Sequence, residues 1–397
     1  MIFLNLLSLL SGFIIAIIAI PSVLHVARRK KLFDLKDERK IHTAAIPPFG
    51  GIAIFLGFIL STIIASGDEA FMTIKYVVAA VIILFFTGLT DDLVKISVRN
   101  KFAVQILAAL LLIVLGNVRL SNGHGLFNIF EINYFFSVAL TLFVMLSVIN
   151  AFNFIDGIDG LAAGLGIVAS LFFGIWFSLA GFNIYAVMSF ALAGSLGGFF
   201  IYNVFGGRNK LFMGDTGSLI TGLIISVLAI QFNEFNIDKS PWWSVNAAPA
   251  VSFAVVLIPL TDTCRVISIR LADKVSPFYP DNNHIHHRLL ALIPDHFSVT
   301  LILTSAGMIM ILLSVLFDYL FINVTMQFLM VFIIGMALSF VPSYILRKYR
   351  KSLRIKKYKS FKTLAVSDTS AQKIRNRPFR SVTKPDKVSL PDNEITS

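Results

Sequence analysis

Eleven stretches of this 397-residue chain are almost continuously apolar over a length that would cross a lipid bilayer, and nothing else constrains the fold as strongly. They lie near 2–24, 50–66, 73–90, 102–117, 134–152, 161–180, 184–204, 215–232, 247–263, 298–318 and 322–346. The fourth and second are the weakest. None alternates apolar and polar residues, so spanning strands and a β-barrel are disfavoured. Apolar residues make up 56% of the chain and charged residues 14%, with 38 Phe. A water-soluble fold has too little interior to hide that much apolar surface. The expected architecture is therefore all-α, a polytopic integral membrane protein of about eleven transmembrane helices.

The net charge of +12 does not describe the whole chain. Residues 347–397 hold 15 Lys/Arg against 4 Asp/Glu, whereas the first 346 are nearly balanced. The basicity belongs to a tail with scattered prolines, and it gives no argument for a nucleic-acid partner. The chain divides into a membrane-spanning catalytic domain, 1–346, and a basic tail, 347–397, expected to be disordered and to lie near anionic headgroups. One cysteine, Cys264, excludes a disulfide framework and a Cys-rich metal site among these residues. No Lys or Arg precedes the first apolar run, and Arg28–Lys31 follow it, so it reads as a retained helix rather than a signal peptide.

Lys and Arg concentrate after the first, third, seventh and ninth runs and are scarce in the alternate loops. This asymmetry predicts an outside N-terminus and a cytoplasmic C-terminus, with 25–49, 91–101, 205–214 and 264–297 inside and 66–72 and 233–246 outside. The paired aspartates, Asp215, Asp262 and the histidines at 284–287 fall on the same predicted face. Carboxylates and histidines gathered on one face of a lipid-bound body imply a site there.

Four motifs carry that site. Asp91-Asp92 closes a span, where a carboxylate pair either caps a helix or serves a cation or nucleophile. In Asn150-Ala-Phe-Asn153-Phe-Ile-Asp156-Gly-Ile-Asp159-Gly, polar side chains recur every third residue, and their oxygens suit a hard divalent cation, unless they cap the next helix. Phe212-Met-Gly-Asp215-Thr-Gly-Ser218 reads as a natural N-cap, or as a loop whose carboxylate would be a second metal ligand beside Asn153. Asn282-Asn-His284-Ile-His286-His287-Arg288 gathers three histidines beside an arginine, which favours anion binding over zinc. Lys101 adds a point charge for phosphate. Together these are the parts of a phosphoryl transfer onto a membrane lipid.

These motifs, with Ile46-Pro-Pro-Phe-Gly-Gly51, make the chain resemble the polyprenyl-phosphate N-acetylhexosamine-1-phosphate transferases from about Asp34 to Leu290. The order of five motifs on one membrane face is what makes the likeness specific. His-Ile-His-His-Arg, where the muramoyl-pentapeptide transferases typically carry three consecutive histidines, is closer to the bacterial branch that makes undecaprenyl-diphosphate N-acetylglucosamine. The resemblance implies a reaction between a UDP-N-acetylhexosamine and undecaprenyl phosphate that releases UMP and starts a cell-surface polysaccharide, in the cell membrane with the site facing the cytoplasm. It implies Mg2+, or Mn2+ in its place, at Asn153 and Asp215, and catalytic roles for Asp91, Asp92, Asp156 and Asp159. Lys101, His42, His284, His286, His287 and Arg288 match substrate-binding positions. Both direct attack by the lipid phosphate and a phospho-enzyme at Asp91/Asp92 remain open, as does a homodimer. Outside this family, an ion-coupled transporter and a zinc hydrolase are the competing readings. The transporter predicts mid-span charges and repeated halves that the sequence does not display.

Overall fold

A computed structural model describes residues 2–32, 46–276 and 283–375. The chain is helical almost throughout. Helices α1 (Ile2–Arg29), α2 (Gly50–Ala65), α3 (Asp68–Val94), α4 (Val98–Leu110, prolonged by a π-helical turn, Leu111–Leu115) and α5 (Tyr134–Ile155) form the first half. They are followed by α6 (Leu161–Ala180), α7 (Asn183–Phe205), α8 (Gly214–Phe235), α9 (Ala248–Val255), α10 (Leu257–Ala272), the short α11 (Ile285–Leu290), α12 (His296–Tyr319) and α13 (Val324–Arg375). Among the described residues nine helices are long and apolar enough to cross a membrane, or ten if α9 and α10 count as one bent span. Every expected run is therefore a helix, but two differ from the expectation of eleven full spans. Helix α2 has 16 residues, about 24 Å at 1.5 Å per residue, short of the roughly 30 Å of hydrocarbon. The run at 247–263 bends by 77° between α9 and α10. Pro259 explains the bend: it lacks the N–H that would bond Val255, and its ring crowds that carbonyl.

Strands were not expected, yet a short antiparallel hairpin, β1 (Asn122–Leu126) with β2 (Ile129–Glu131), sits between the fourth and fifth runs. Phe127 and Asn128 both take positive φ, 51° and 62°, which is the backbone of a two-residue I′ turn. Asn tolerates that region; Phe does so at a cost.

Two units divide the chain, 1–344 and 345–397. In the first, α8 is the central helix, buried along almost its whole length and packed by α2, α3, α5 and α6. In that position its polar residues, among them Thr221, Ser226, Gln231 and Asn233, are shielded from lipid. Helix α1 docks on α7 through small residues: Gly12 lies against Ala191 and Ser195, while Gly194 meets Leu9. Without a hydrophobic drive in lipid, such close backbone approach supplies the attraction. The exterior is the reverse of a soluble protein's, with Phe135 84% and Phe143 68% exposed. In the second unit α13 continues as helix to Arg375. Residues 376–397 lie outside the described residues.

Candidate active site

The site is built where the start of α8 meets the ends of α3 and α5. The extended segment 46–49 pairs with the loop before α8: Phe212 N–H donates to Pro47 O (3.0 Å), and Gly50 and Gly51 donate to Phe212 O and Met213 O (2.8 and 2.9 Å). Two motifs far apart in sequence are thus one backbone unit. It aims the α8 N-terminus at α3, where Asp92 accepts from Asp215 N–H (2.8 Å), Thr216 N–H (3.1 Å) and Thr216 Oγ1 (2.6 Å). The cap of α8 therefore comes from another helix, not from Asp215 or Thr216. Gly214 permits it: its φ is +71°, and a Cβ there would stand 2.7 Å from Asp92 Oδ2.

Asp91, one residue earlier and about 100° around α3, points elsewhere. Its Oδ1 accepts from Ile96 N–H (2.7 Å), which folds the α3–α4 connection back. That fold, with Ser97 capping α4, brings Lys101 into the site. Lys101 Nζ lies 2.5 Å from Asp215 Oδ2, 3.2 Å from Asp91 Oδ2 and 3.5 Å from Asn153 Oδ1. Asn153 also donates from Nδ2 to Asp215 Oδ1 (2.7 Å) and to Ser218 Oγ (2.9 Å). So Asn153 and Asp215 are adjacent, as expected of co-ligands, and Asp91 joins them. Lys101, expected on a substrate phosphate, holds these three oxygens together in this structure.

No cluster of three or more His, Cys, Asp or Glu among the described residues could itself hold a metal. Two carboxylates and an amide carbonyl converging on one ammonium nevertheless make a donor set that fits a hard divalent cation. Mg2+ needs only one or two protein carboxylates when phosphates and waters complete its shell. Asp91, Asn153 and Asp215 would hold it, with Lys101 marking where positive charge is stable.

The turn between α5 and α6 carries the second half of the site. Asp159 Oδ2 lies 2.5 Å from Lys210 Nζ and 2.8 Å from His296 Nδ1, while its Oδ1 is buried and has no partner among the described residues. Asn203 locks the turn by accepting from Gly160 N–H (2.5 Å) and donating to Leu211 O (2.8 Å). Asp156, at the α5 terminus, is half-buried and has no hydrogen-bond donor or cation of its own among the described residues. Burial, then the charges of Asp215, Asp92 and Asp159, push its carboxyl up to about 8.

The histidine segment closes over this turn, and its members are not equivalent. His286 is 1% exposed, neither ring nitrogen has a partner among the described residues, and its ring lies on Gly157, where a Cβ would come within 2.1 Å of Nε2. Burial, then the neighbouring His287, lowers its pKa to about 3, so the ring is neutral at pH 7. His286, expected on a substrate phosphate, is positioned against the Asp156–Asp159 turn in this structure. His284 Nδ1 lies 2.8 Å from Asp262 Oδ2. Asp262 Oδ1 also accepts from Ile285 N–H and Arg265 Nη2, both at 2.8 Å, and Arg265 donates to Asn283 O (2.6 Å). Arg288 Nη2 donates to Asn283 Oδ1. Arg265, just past the ninth apolar run, is fully buried in this network and anchors the segment. His42 lies outside the described residues.

Sequence reasoning missed the supporting roles of five residues: Asn203, His296, the Asp262–Arg265 pair as an anchor, and Lys210 as the partner of Asp159. Only the last two had a signal, a charge at or next to an apolar run.

The description "Glycosyl transferase family 4" matches residues 74–233, which contain the Asp91-Asp92, Asn153–Asp159 and Asp215 motifs. An undecaprenyl-phosphate alpha-N-acetylglucosaminyl 1-phosphate transferase of Escherichia coli O157:H7 is 29% identical over 74% of this chain and 78% of its own length. The protein of the same description from Yersinia pestis is 30% identical, over 72% and 78%. A probable undecaprenyl-phosphate N-acetylglucosaminyl 1-phosphate transferase of Bacillus subtilis strain 168 is 27% identical, over 75% and 82%. With a helical body of this apolarity and a polar site at the ends of its helices, the chain is a multi-pass membrane enzyme that belongs to glycosyl transferase family 4.

Proposed function

We propose that this enzyme transfers N-acetylglucosamine 1-phosphate from UDP-N-acetylglucosamine to undecaprenyl phosphate and releases UMP, with Mg2+ as cofactor. The observation that carries the reading is the convergence of Asp91, Asn153 and Asp215 oxygens on the Lys101 ammonium at the ends of helices long and apolar enough to cross a membrane. A diphosphate donor requires such a focus of positive charge, and a lipid acceptor requires that it lie at a membrane boundary. When bound, a divalent cation there neutralises the diphosphate and draws charge from the phosphorus under attack. Lys101 is within reach of the same oxygens and would turn towards the substrate phosphates. Lys210, held beside Asp159, supplies the next positive charge along the turn.

Among the site carboxylates, Asp92 is committed to the backbone of α8 and Asp91 to Ile96 and Lys101. Asp156 has neither constraint, and a carboxyl pushed up to about 8 holds a proton well at neutral pH. We therefore assign to Asp156, in its ionised form, the role of the base that takes any proton on the acceptor's phosphate, its raised pKa making that carboxylate a stronger base than an ordinary one, and to Asp91 the flank of the transferring phosphorus. This supports direct attack rather than an aspartyl-phosphate on Asp92. The Lys/Arg asymmetry supports a cytoplasmic site, where nucleotide sugars are available.

The test is UMP release by purified protein supplied with undecaprenyl phosphate and one of UDP-GlcNAc, UDP-GalNAc or UDP-glucose. The expected result is Mg2+-dependent turnover with UDP-GlcNAc. Turnover only with another sugar overturns the donor, and turnover undiminished by chelation overturns the metal. Single-cysteine labelling in a Cys264→Ser background tests the orientation: an impermeant reagent should fail to reach Ser276→Cys in intact cells.

A further inference from the structure

Away from the carboxylates, a cavity of about 540 Å3 opens at the end of α1, between α1 and α7. Its apolar wall is Pro21, Leu24 and Tyr202, and its polar rim is His25, Arg28 and Arg29. No carboxylate of the described residues lines it, nor does Lys101. Arg28 is fixed by donating to Arg208 O (2.5 Å) and to Asn209 Oδ1 (3.0 Å). Arg29 and His25 make no hydrogen bond or ion pair with the described residues. Such a rim is costly to assemble without an anion, because two guanidiniums repel each other. The α1 C-terminus offsets only part of that, at roughly half an elementary charge.

We propose that this cavity binds the phosphate headgroup of an anionic phospholipid of the surrounding bilayer. Three features converge on that occupant. The cationic rim stands at the end of a membrane-crossing helix, the depth at which lipid phosphates lie. Below it, Ile14 and Ile18 of α1 and Ile201 of α7 are exposed apolar side chains along which acyl chains can descend. The rim is cationic and its floor apolar, which matches a phosphodiester on hydrocarbon rather than a free nucleotide. The acceptor's phosphate monoester is a different case: it must reach Asp91 and Asp215, and neither lines this cavity. The site is also coupled to the turn, since Arg28 grips Arg208 and Asn209, and the next residue, Lys210, holds Asp159.

Native mass spectrometry of the intact, detergent-solubilised chain tests this with phosphatidylglycerol, phosphatidylcholine and undecaprenyl phosphate as separate probes. Wild-type protein is expected to retain phosphatidylglycerol in preference to phosphatidylcholine. Arg29→Gln should cut that preference about fivefold, the effect of roughly 1 kcal/mol per basic residue at an anionic surface, and Arg29→Lys should keep most of it. Undecaprenyl phosphate binding should be the same in all three. An unchanged phosphatidylglycerol preference in Arg29→Gln overturns the site. So does selective loss of undecaprenyl phosphate in that variant, because the cavity would then belong to the acceptor.

Discussion

The two ends of α8 both meet carboxylates, but they use them differently. At the Gly214 end, Asp91, Asp92 and Asp215 crowd together with Lys101, and Asp156 feels the charge of Asp215 and Asp92. At the Phe235 end, roughly 30 Å away along the helix, Glu234 accepts from Ser121 N–H (2.7 Å) and Ser121 Oγ (2.6 Å). In the loop whose Val245 N–H bonds Asn236 at this end, Ala247 N–H (2.7 Å) and Asn246 N–H (3.4 Å) donate to Asp318 of α12. The far carboxylates stand singly, each satisfied by neutral donors that tie a loop to a helix. The near ones repel one another and persist through shared cations. A carboxylate whose bonds are complete is architecture; a group of them awaiting more positive charge is a site.

The sharpest way to break this comparison is at Asp215. It meets Lys101 with Oδ2 and Asn153 with Oδ1, so removing it leaves both partners without their focus. Asp215→Ala should lower kcat by about 10³-fold or more, since a preorganised charge partner is worth that much in a water-poor site. The protein should remain folded and inserted, with an unchanged elution profile in detergent. Near-normal UMP release would remove Asp215 from the site.

Gly157→Ala should come next. A methyl group at residue 157 would stand 2.1 Å from His286 Nε2, so the ring and the Asp156–Asp159 turn must part. A misplacement of about 1 Å costs on the order of 10²-fold in rate, and kcat should fall while the far-end carboxylates keep the fold. Unchanged kcat would mean the histidine ring does not position the turn. Gly157→Ala paired with His286→Ala, which empties the space, should recover part of the packing and so separate crowding from chemistry.

Much of this was legible in the chain itself, and the exceptions have physical causes. Each apolar run became a helix because its length and continuity leave no other structure for backbone in lipid. The bend at Val256 escaped notice although Pro259 was visible, because proline is common enough in membrane helices to be an uncertain signal. The hairpin at 122–131 escaped because Phe127-Asn128 is a poor match to the usual Asn-Gly or Gly-Gly turn. Site membership was readable from residue type and spacing. Pairing was not: Asp92 on α8, Lys210 on Asp159 and Asp262 on His284 join residues 123, 51 and 22 positions apart. Nothing in local sequence specifies which of two adjacent aspartates turns inward; the helical step between Asp91 and Asp92 decides it.

A smaller effect follows from Asp156. Its carboxyl rises from 3.8 to about 8 in the folded protein, so between those values the folded state binds more protons than the unfolded chain. The corresponding stability is complete below 3.8 and is lost as pH rises through about 8. Asp156 should therefore contribute a decline to the thermal midpoint of divalent-free protein in detergent across that window, strongest above pH 6.5, where the opposing contribution of His286 has ended. Asp156→Asn, neutral throughout, should flatten the decline. An equal slope in the variant would show that Asp156 is not the group responsible.

The smallest change should come from Asp318→Asn, and it is the control for the whole comparison. An amide keeps an acceptor for Ala247 N–H but no longer offers two equivalent oxygens, so the Asn246 contact weakens. A hydrogen bond to a charged acceptor contributes on the order of 1.5–3 kcal/mol, and one to a neutral acceptor about 1. The expected loss is thus about 1 kcal/mol, read as a lower thermal midpoint, with kcat, KM and Mg2+ dependence unchanged. If Asp318 only ties the 246–247 loop to α12, removing its charge cannot alter a reaction at the other end of the bundle. A drop in kcat comparable to that of Gly157→Ala would show that charge at the far end reaches the chemistry, and the division between architecture and site would fail.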